Sequence, residues 1–332
     1  MKILVTGGAG YIGSHMVKML CELEHSVIVV DSLVNGHRQA VDKRARFVEA
    51  CLSDKKAVAK ALKGCDAAMH FAGFSEAHIS MDEPEKFFEN NVYYGILLLE
   101  AMKESGVNNI IFSSTGAVYG NPKYTPIDEK HPKEPKNFYG QTKLFFEQLL
   151  RWYEVIYGIK SVSLRYFNAA GADESGKIGE SHNPETHIIP LVLKVALKQE
   201  KCVRIFGIDY NTKDGTCIRD YIHVNDLCKA HILALEYLLK HKKSECFNLG
   251  TGVGTSVREI IAECERVTGK NIKTVEYEKR KGDVEVLVSS AEKVRRVLGW
   301  KPKYKDVSKI IKTAWQWHSK YPHGYGTKID RE

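Results

Sequence analysis

Tyr139 and Lys143 stand four residues apart in the run Tyr139-Gly-Gln-Thr-Lys143. On a helix that spacing sets them one turn from each other. A phenol with a pKa of about 10 is a poor base at neutral pH, but a nearby lysine ammonium favours the phenolate and lowers that value. The pair therefore reads as a base for a sugar or alcohol hydroxyl. By itself the spacing is weak, because any helix carries such pairs by chance, with the tyrosine packed and the lysine solvated. The elements that would hold the pair decide between the two accounts.

Apolar runs at Lys2–Thr6, 26–30, Arg46–Glu49, 67–71 and 109–112 alternate with helical patterns, the first of them over 11–23. Continuous apolar strands separated by helices predict a parallel sheet covered on both faces. Prolines at 122, 126, 132 and 135 mark 120–137 as a loop. A helix is predicted over 139–157 and a strand over 162–166. After Gly171 the pattern loosens, with a helix over 189–199 and shorter mixed elements. The expected fold is α/β, a Rossmann-type doubly wound parallel sheet with a smaller mixed α/β substrate domain. The first domain spans 1–168, with part of 218–245 returning to it, and the second spans 169–332.

Between the first strand and first helix lies Gly7-Gly-Ala-Gly10-Tyr-Ile-Gly13. Glycines there permit a tight turn and let a pyrophosphate approach the amides at a helix N-terminus. Asp31 closes the second strand, where its carboxylate is placed to accept hydrogen bonds from both ribose hydroxyls of an adenosine. It also favours NAD over NADP, because it repels a 2′-phosphate.

The chain has 332 residues, 43% hydrophobic and 27% charged, with a formal charge of +8. Its longest basic run of note, Lys279-Arg280-Lys281, is too short to favour nucleic acid or a membrane surface. No apolar run reaches the ~18 residues of a membrane helix, and no leader is expected before the first strand. The eight cysteines are scattered, without Cys-x-x-Cys or a metal-ligand spacing to histidine. No metal is expected, and the thiols suit a reducing, cytoplasmic compartment.

Further pieces accompany the pair: Phe112-Ser-Ser-Thr115, Phe71-Ala-Gly73 and Arg165-Tyr-Phe-Asn168 each end a strand, where parallel sheets place ligands. Together these resemble the extended short-chain dehydrogenase/reductase family. Within it, Thr6-Gly-Gly-Ala-Gly-Tyr-Ile-Gly-Ser-His15, His70-Phe-Ala-Gly73, Asn90-Asn-Val92 and Tyr166-Phe-Asn168 are similar to the UDP-glucose 4-epimerases. So are Asp214-Gly-Thr-Cys-Ile-Arg-Asp-Tyr-Ile-His-Val224, Asn248-Leu-Gly-Thr-Gly252 and Trp315-Gln-Trp-His318 followed by Gly324-Tyr325. The resemblance runs in order along nearly the whole chain.

It implies bound NAD and inversion of C4 of a UDP-hexose, UDP-galactose to UDP-glucose, through a 4-keto sugar. Tyr139 would be the base, Thr115 would hydrogen-bond the sugar 4-oxygen, and Lys143 would hold the nicotinamide ribose and lower the tyrosine pKa. Gly7, Gly10, Tyr11, Ile12, Gly13, Asp31, Asn35, Leu52, Phe71, Ala72, Gly73, Asn90 and Phe167 would meet NAD. Asn168, His187, Phe206, Arg219, Arg280 and Asp283 would meet the UDP part, with Leu287 near the sugar. A homodimer is implied, through helices over 85–103 and 139–157.

Departures from the family pattern refine these expectations. Cys51 replaces an acid that meets the adenine, a loss Asp54 could offset. Leu287 replaces a tyrosine found in some members, so UDP-N-acetyl sugars become candidate substrates beside UDP-pentoses. Gly116-Ala117 follows Thr115 where dehydratases carry an acidic pair. A non-catalytic NAD-binding sensor is the reading from another class, and such proteins commonly lose the Tyr/Lys pair that this chain keeps.

Overall fold

The computed structural model describes residues 1–326. Its centre is a seven-stranded, all-parallel sheet. In chain order the first strands are β1 (Lys2–Thr6), β2 (Ser26–Asp31), β3 (Arg46–Glu49), β4 (Ala67–His70), β5 (Asn109–Thr115) and β6 (Lys160–Tyr166). Helices α1 (Tyr11–Glu22), α2 (Lys55–Leu62), α3 (Pro84–Phe88), α4 (Tyr94–Ser105) and α5 (Phe138–Tyr157) connect them. Successive strand residues point to opposite faces. Thus Ile3 and Val5 join the core under α1, while Leu4 joins the core with Leu98 and Phe146 on the other side. Both faces are buried, which is why these strands read as unbroken apolar runs.

Beyond β6 the chain leaves the sheet. The strands β7 (Asn168–Ala170), β8 (Val203–Phe206) and β9 (Ile218–His223) follow, with α6 (Ile188–Ala196) among them. Then α7 (Val224–His241) packs against α1, β5 and β6, and β10 (Glu245–Leu249) pairs with β6 at the edge of the large sheet. The remaining elements are β11 (Gly254–Ser256), α8 (Val257–Thr268), β12 (Thr274–Tyr277), β13 (Val286–Leu287), α9 (Glu292–Leu298) and α10 (Val307–Lys320). Strands β7, β9, β11 and β13 form a small mixed sheet, and β8 pairs with β12. A separate core of Ile189, Leu193, Ile260, Ile311 and their neighbours lies between α6, α8 and α10.

The helix expected over 85–103 is broken by a π-helical turn, Glu89–Tyr93. The widened turn carries buried Asn91, whose amide accepts from Phe74 N (2.8 Å) and donates to Phe74 O (3.0 Å) and Thr142 Oγ1 (3.1 Å). Such turns recur where a helix serves a site, and this one fixes the loop after β4 against α5. Among the described residues no helix is long and apolar enough to cross a membrane.

Candidate active site

The carboxyl ends of β1, β4, β5 and β6 open into a cleft of about 420 Å³, whose far wall comes from α6, β8, β9 and the segment around Arg280. Gly7 turns the chain out of β1 with φ +70°, and a Cβ there would lie 2.4 Å from Ala72 N. At Gly13 a Cβ would lie 2.1 Å from Gly7 O, so the first turn of α1 could not close over the loop. The N-cap, Gly10, supplies no side chain to the first amides of α1. Those amides, with the positive end of the helix dipole, are left for an anion.

Asp31, at the end of β2, accepts from Ala9 N (2.9 Å) and Leu33 N (2.8 Å). Burial raises its pKa against those two hydrogen bonds. This set of features fits a dinucleotide with an adenosine ribose near Asp31. Gly7, Gly10, Tyr11, Ile12, Gly13, Asn35, Phe71, Gly73 and Phe167 line the cleft as expected. Asp31, Leu52, Ala72 and Asn90 lie outside its lining. Leu52 is core beside Val58, and Ala72 is the floor against which Gly7 turns. Beside Asn90, it is Asn91 that reaches the loop after β4. Asp54 does not stand in for the missing acid at Cys51, because its carboxylate caps α2 at Ala57 N.

Asn137 begins α5 by accepting from Gly140 N (2.8 Å). Tyr139 then faces the cleft, 9% exposed, with its own N–H on Ser80 Oγ (2.9 Å). Thr115, at the end of β5, is buried beside it, and Thr115 Oγ1 accepts from Ala117 N (3.1 Å). Lys143 Nζ donates to the Ser113 carbonyl (3.1 Å) and sits 5.8 Å from the Tyr139 ring centre. Lys143 is not among the groups that shift Tyr139 in the chain by itself. Burial pushes Tyr139 far up, with Thr115 the neighbour that favours ionisation. Burial likewise lowers Lys143 to about 8. The ammonium spends its reach on a carbonyl, and among the described residues no carboxylate pairs with it.

Glu147, four residues on from Lys143 along α5, is taken by Arg165. Arg165 donates to both Glu147 oxygens (2.8 and 2.5 Å), and Ser114 Oγ adds a third hydrogen bond (2.6 Å). This buried pair rivets α5 to β5 and β6, and so fixes Tyr139 against Thr115. Tyr166 and Ser113, which hydrogen-bond to each other, also line the cleft; both lie in the strand-end motifs read from the sequence, which gave neither a role of its own.

On the far wall, Asn168, His187, Phe206, Arg219, Arg280, Asp283 and Leu287 all line the same space. Arg280 stacks over the Phe206 ring at 4.8 Å and donates to Asp283 (3.0 Å). Arg219 bonds only carbonyls, of Ile218 (2.9 Å) and Glu285 (3.3 Å). It makes no ion pair with Asp220, which points the other way and binds Thr251, Gly252 and Ser289. Two guanidinium groups thus face a cleft whose opposite wall presents a helix N-terminus, a surface suited to a nucleoside diphosphate.

Glu180, His182 and Glu185 were also missed, although the alternation Glu180-x-His182-x-x-Glu185-x-His187 is plain in the sequence. Glu180 and His182 line the cleft opposite Tyr11, whose ring meets that of His182 at 6.2 Å. For His182 burial opposes the charged form, but hydrogen bonding to Glu180 and Glu185 outweighs it and raises the pKa to about 9.

Known proteins share this arrangement. Residues 3–250 match the model of the NAD dependent epimerase/dehydratase family. The chain is 49% identical over 330 residues to a UDP-glucose 4-epimerase of Lacticaseibacillus casei, covering 99% of this chain and 100% of the relative. The UDP-glucose 4-epimerase of Brucella ovis, solved with NAD, superposes with a TM-score of 0.91 at 41% identity, over 95% of this chain and 97% of that one. That of Bifidobacterium longum, solved with NAD+ and UDP, gives 0.92 at 36% identity, over 98% and 100%. With its glycine turn, cleft and full-length likeness accounted for together, this chain belongs to the NAD dependent epimerase/dehydratase family.

Proposed function

We propose that the chain interconverts UDP-galactose and UDP-glucose by inverting C4 of the sugar, with NAD as its cofactor. The observation that carries the reading is the meeting of Thr115, Tyr139 and Lys143 at the strand ends, between an uncapped helix N-terminus and two arginines. NAD, when bound, supplies the acceptor for the C4 hydride, returns it to the other face, and in its oxidised form brings a positive charge. Tyr139 takes the proton of the sugar 4-hydroxyl and later gives it back. Thr115 hydrogen-bonds that oxygen and relays the proton. Lys143 would hold the nicotinamide ribose. Arg219 and Arg280 hold the diphosphate, Asn168 and Asp283 the rest of the UDP, and Phe206 the base with Arg280 stacked on it. The 4-keto sugar then has an open cleft in which to turn while its UDP remains held.

Incubating the purified protein with UDP-galactose, with no NAD added, tests this. UDP-glucose should accumulate to equilibrium. Protein that carries NAD yet forms no product from UDP-galactose would overturn the reading in favour of a sensor. Leu287 supports a wider substrate range, because a leucine at the apolar wall beside Val118 and Leu144 leaves more room than a tyrosine.

On the same reading the NAD-binding domain is 1–168, with part of 218–245 returning to it, and 169–332 binds the UDP-sugar; residues 327–332 lie outside the described residues. A second copy of the chain would cover the outer face of α5 and the helices before it. That face leaves Trp152 63%, Val155 77% and Ile156 59% exposed, next to exposed Phe88 and Tyr93. Sedimentation should show a dimer at micromolar concentration, and a monomer there would remove this part of the proposal. The cysteines are all free thiols, which supports a cytoplasmic setting.

A further inference from the structure

The proposed reaction gives no task to the cluster on the far wall. Glu180, His182, Glu185 and His187 offer two carboxylate oxygens and two imidazole nitrogens, all within 4.8 Å of one another. His187 Nδ1 lies 3.0 Å from Glu180 Oε1 and 3.2 Å from Glu185 Oε1. His182 Nδ1 lies 3.4 Å from Glu180 Oε1 and 3.6 Å from Glu185 Oε2. Four ligands at about 2.0–2.1 Å from a tetrahedral ion are separated by about 3.3–3.4 Å, a value that the four imidazole–carboxylate distances of 3.0–3.6 Å bracket.

A second observation points the same way. Glu180 Oε1 and His182 Nδ1 are buried and make no well-aligned hydrogen bond, although the Nδ1 atoms of His187 and His182 stand 3.0 and 3.4 Å from that oxygen. The Glu180 side chain is 4% exposed, so the two imidazoles, and not solvent, face its oxygen. Native proteins rarely leave a buried carboxylate oxygen in that state. The Glu185 carboxylate is already oriented, since its Oε1 accepts from the backbone N–H of Thr186 (2.8 Å) and His187 (2.9 Å). Metal-binding carboxylates are held by such outer hydrogen bonds.

We propose that Glu180, His182, Glu185 and His187 bind one zinc ion that pins the 180–187 segment between α1 and the start of α6. Two imidazoles and two carboxylates in tetrahedral spacing suit zinc, whereas calcium and magnesium require six or more oxygens. Four protein ligands close the shell, so the ion is structural and sits in the cleft wall. The segment is otherwise tied to the first half of the chain through His37 Nε2 and Ser181 O (3.1 Å).

The test is zinc titration of the chelator-treated, full-length protein against a chromophoric competitor, with melting followed in parallel. The expected result is about one equivalent bound and a higher melting temperature with zinc. His182→Ala and Glu180→Gln should each weaken binding about 100-fold, with the far-ultraviolet circular dichroism unchanged. Uptake well below one equivalent by the unaltered chain, or undiminished binding in both variants, would overturn the proposal. Should the variants fail to fold, crystals of the unaltered protein soaked in zinc decide the matter. An anomalous peak among the four side chains supports the site, and peaks only elsewhere on the surface refute it.

Discussion

Two ends of one cleft treat buried ionisable groups in opposite ways. At the tyrosine end, Tyr139 and Lys143 are enclosed without a counter-ion, and burial moves both toward their neutral forms. At the Glu180–His187 end, two carboxylates and two imidazoles are enclosed together, and each sign supports the other. Burial alone penalises charge, whereas burial with a partner preserves it. The first end thus encloses its phenol and ammonium at a cost in charge. The second end is electrically assembled by the fold.

The largest effect that could break this contrast lies at the phenol. Tyr139→Phe should retain the fold and NAD and lose activity by about 10²–10⁴-fold, read as turnover of UDP-galactose. Turnover within about tenfold of the unaltered chain would show that another group is the base. Next comes stability at the charged end. Glu180→Gln strips one partner from a buried cluster and should cost about 3 kcal/mol in urea denaturation.

Lys143→Met removes a buried cation with no partner, so the NAD-free variant should be at least as stable as the original while its turnover falls. The pH dependence sharpens that comparison. Lys143 binds its proton with a pKa of about 8 in the fold against 10.5 in the open chain. Between those values the unfolded chain holds more protons, so this residue's penalty is full below pH 8 and fades as pH rises to 10.5. The stability gap between variant and original should close over that window, and a constant gap would show that Lys143 is paired after all. The smallest effect belongs to the apolar wall between the two ends. Leu287→Tyr should lower kcat/KM for UDP-N-acetylglucosamine about tenfold relative to UDP-glucose.

Some of this was legible without coordinates because it is local. The strand periods, the turn at Gly7 and Gly13, and the helical spacing of Tyr139 and Lys143 depend on backbone conformation within a few residues of each. The alternation of His and carboxylate from Glu180 to His187 was equally visible, but nothing in it says that four side chains converge rather than point into solvent. Leu52 shows the converse, since a position matched along the sequence packs into the core with Val58 and lies outside the cleft lining.

The sequence by itself determined which strands are buried on both faces, where a dinucleotide turn forms, and which tyrosine could serve as a base. Only the tertiary structure decided the charge each group carries. Lys143 has no counter-ion among the described residues, whereas Glu147, one helical turn on, is claimed by Arg165 from a strand distant in sequence. His182 is held charged because Glu180 and Glu185 are folded against it out of water. A pKa depends on everything that covers and faces the group, and that enclosure exists only when separate segments of the chain meet.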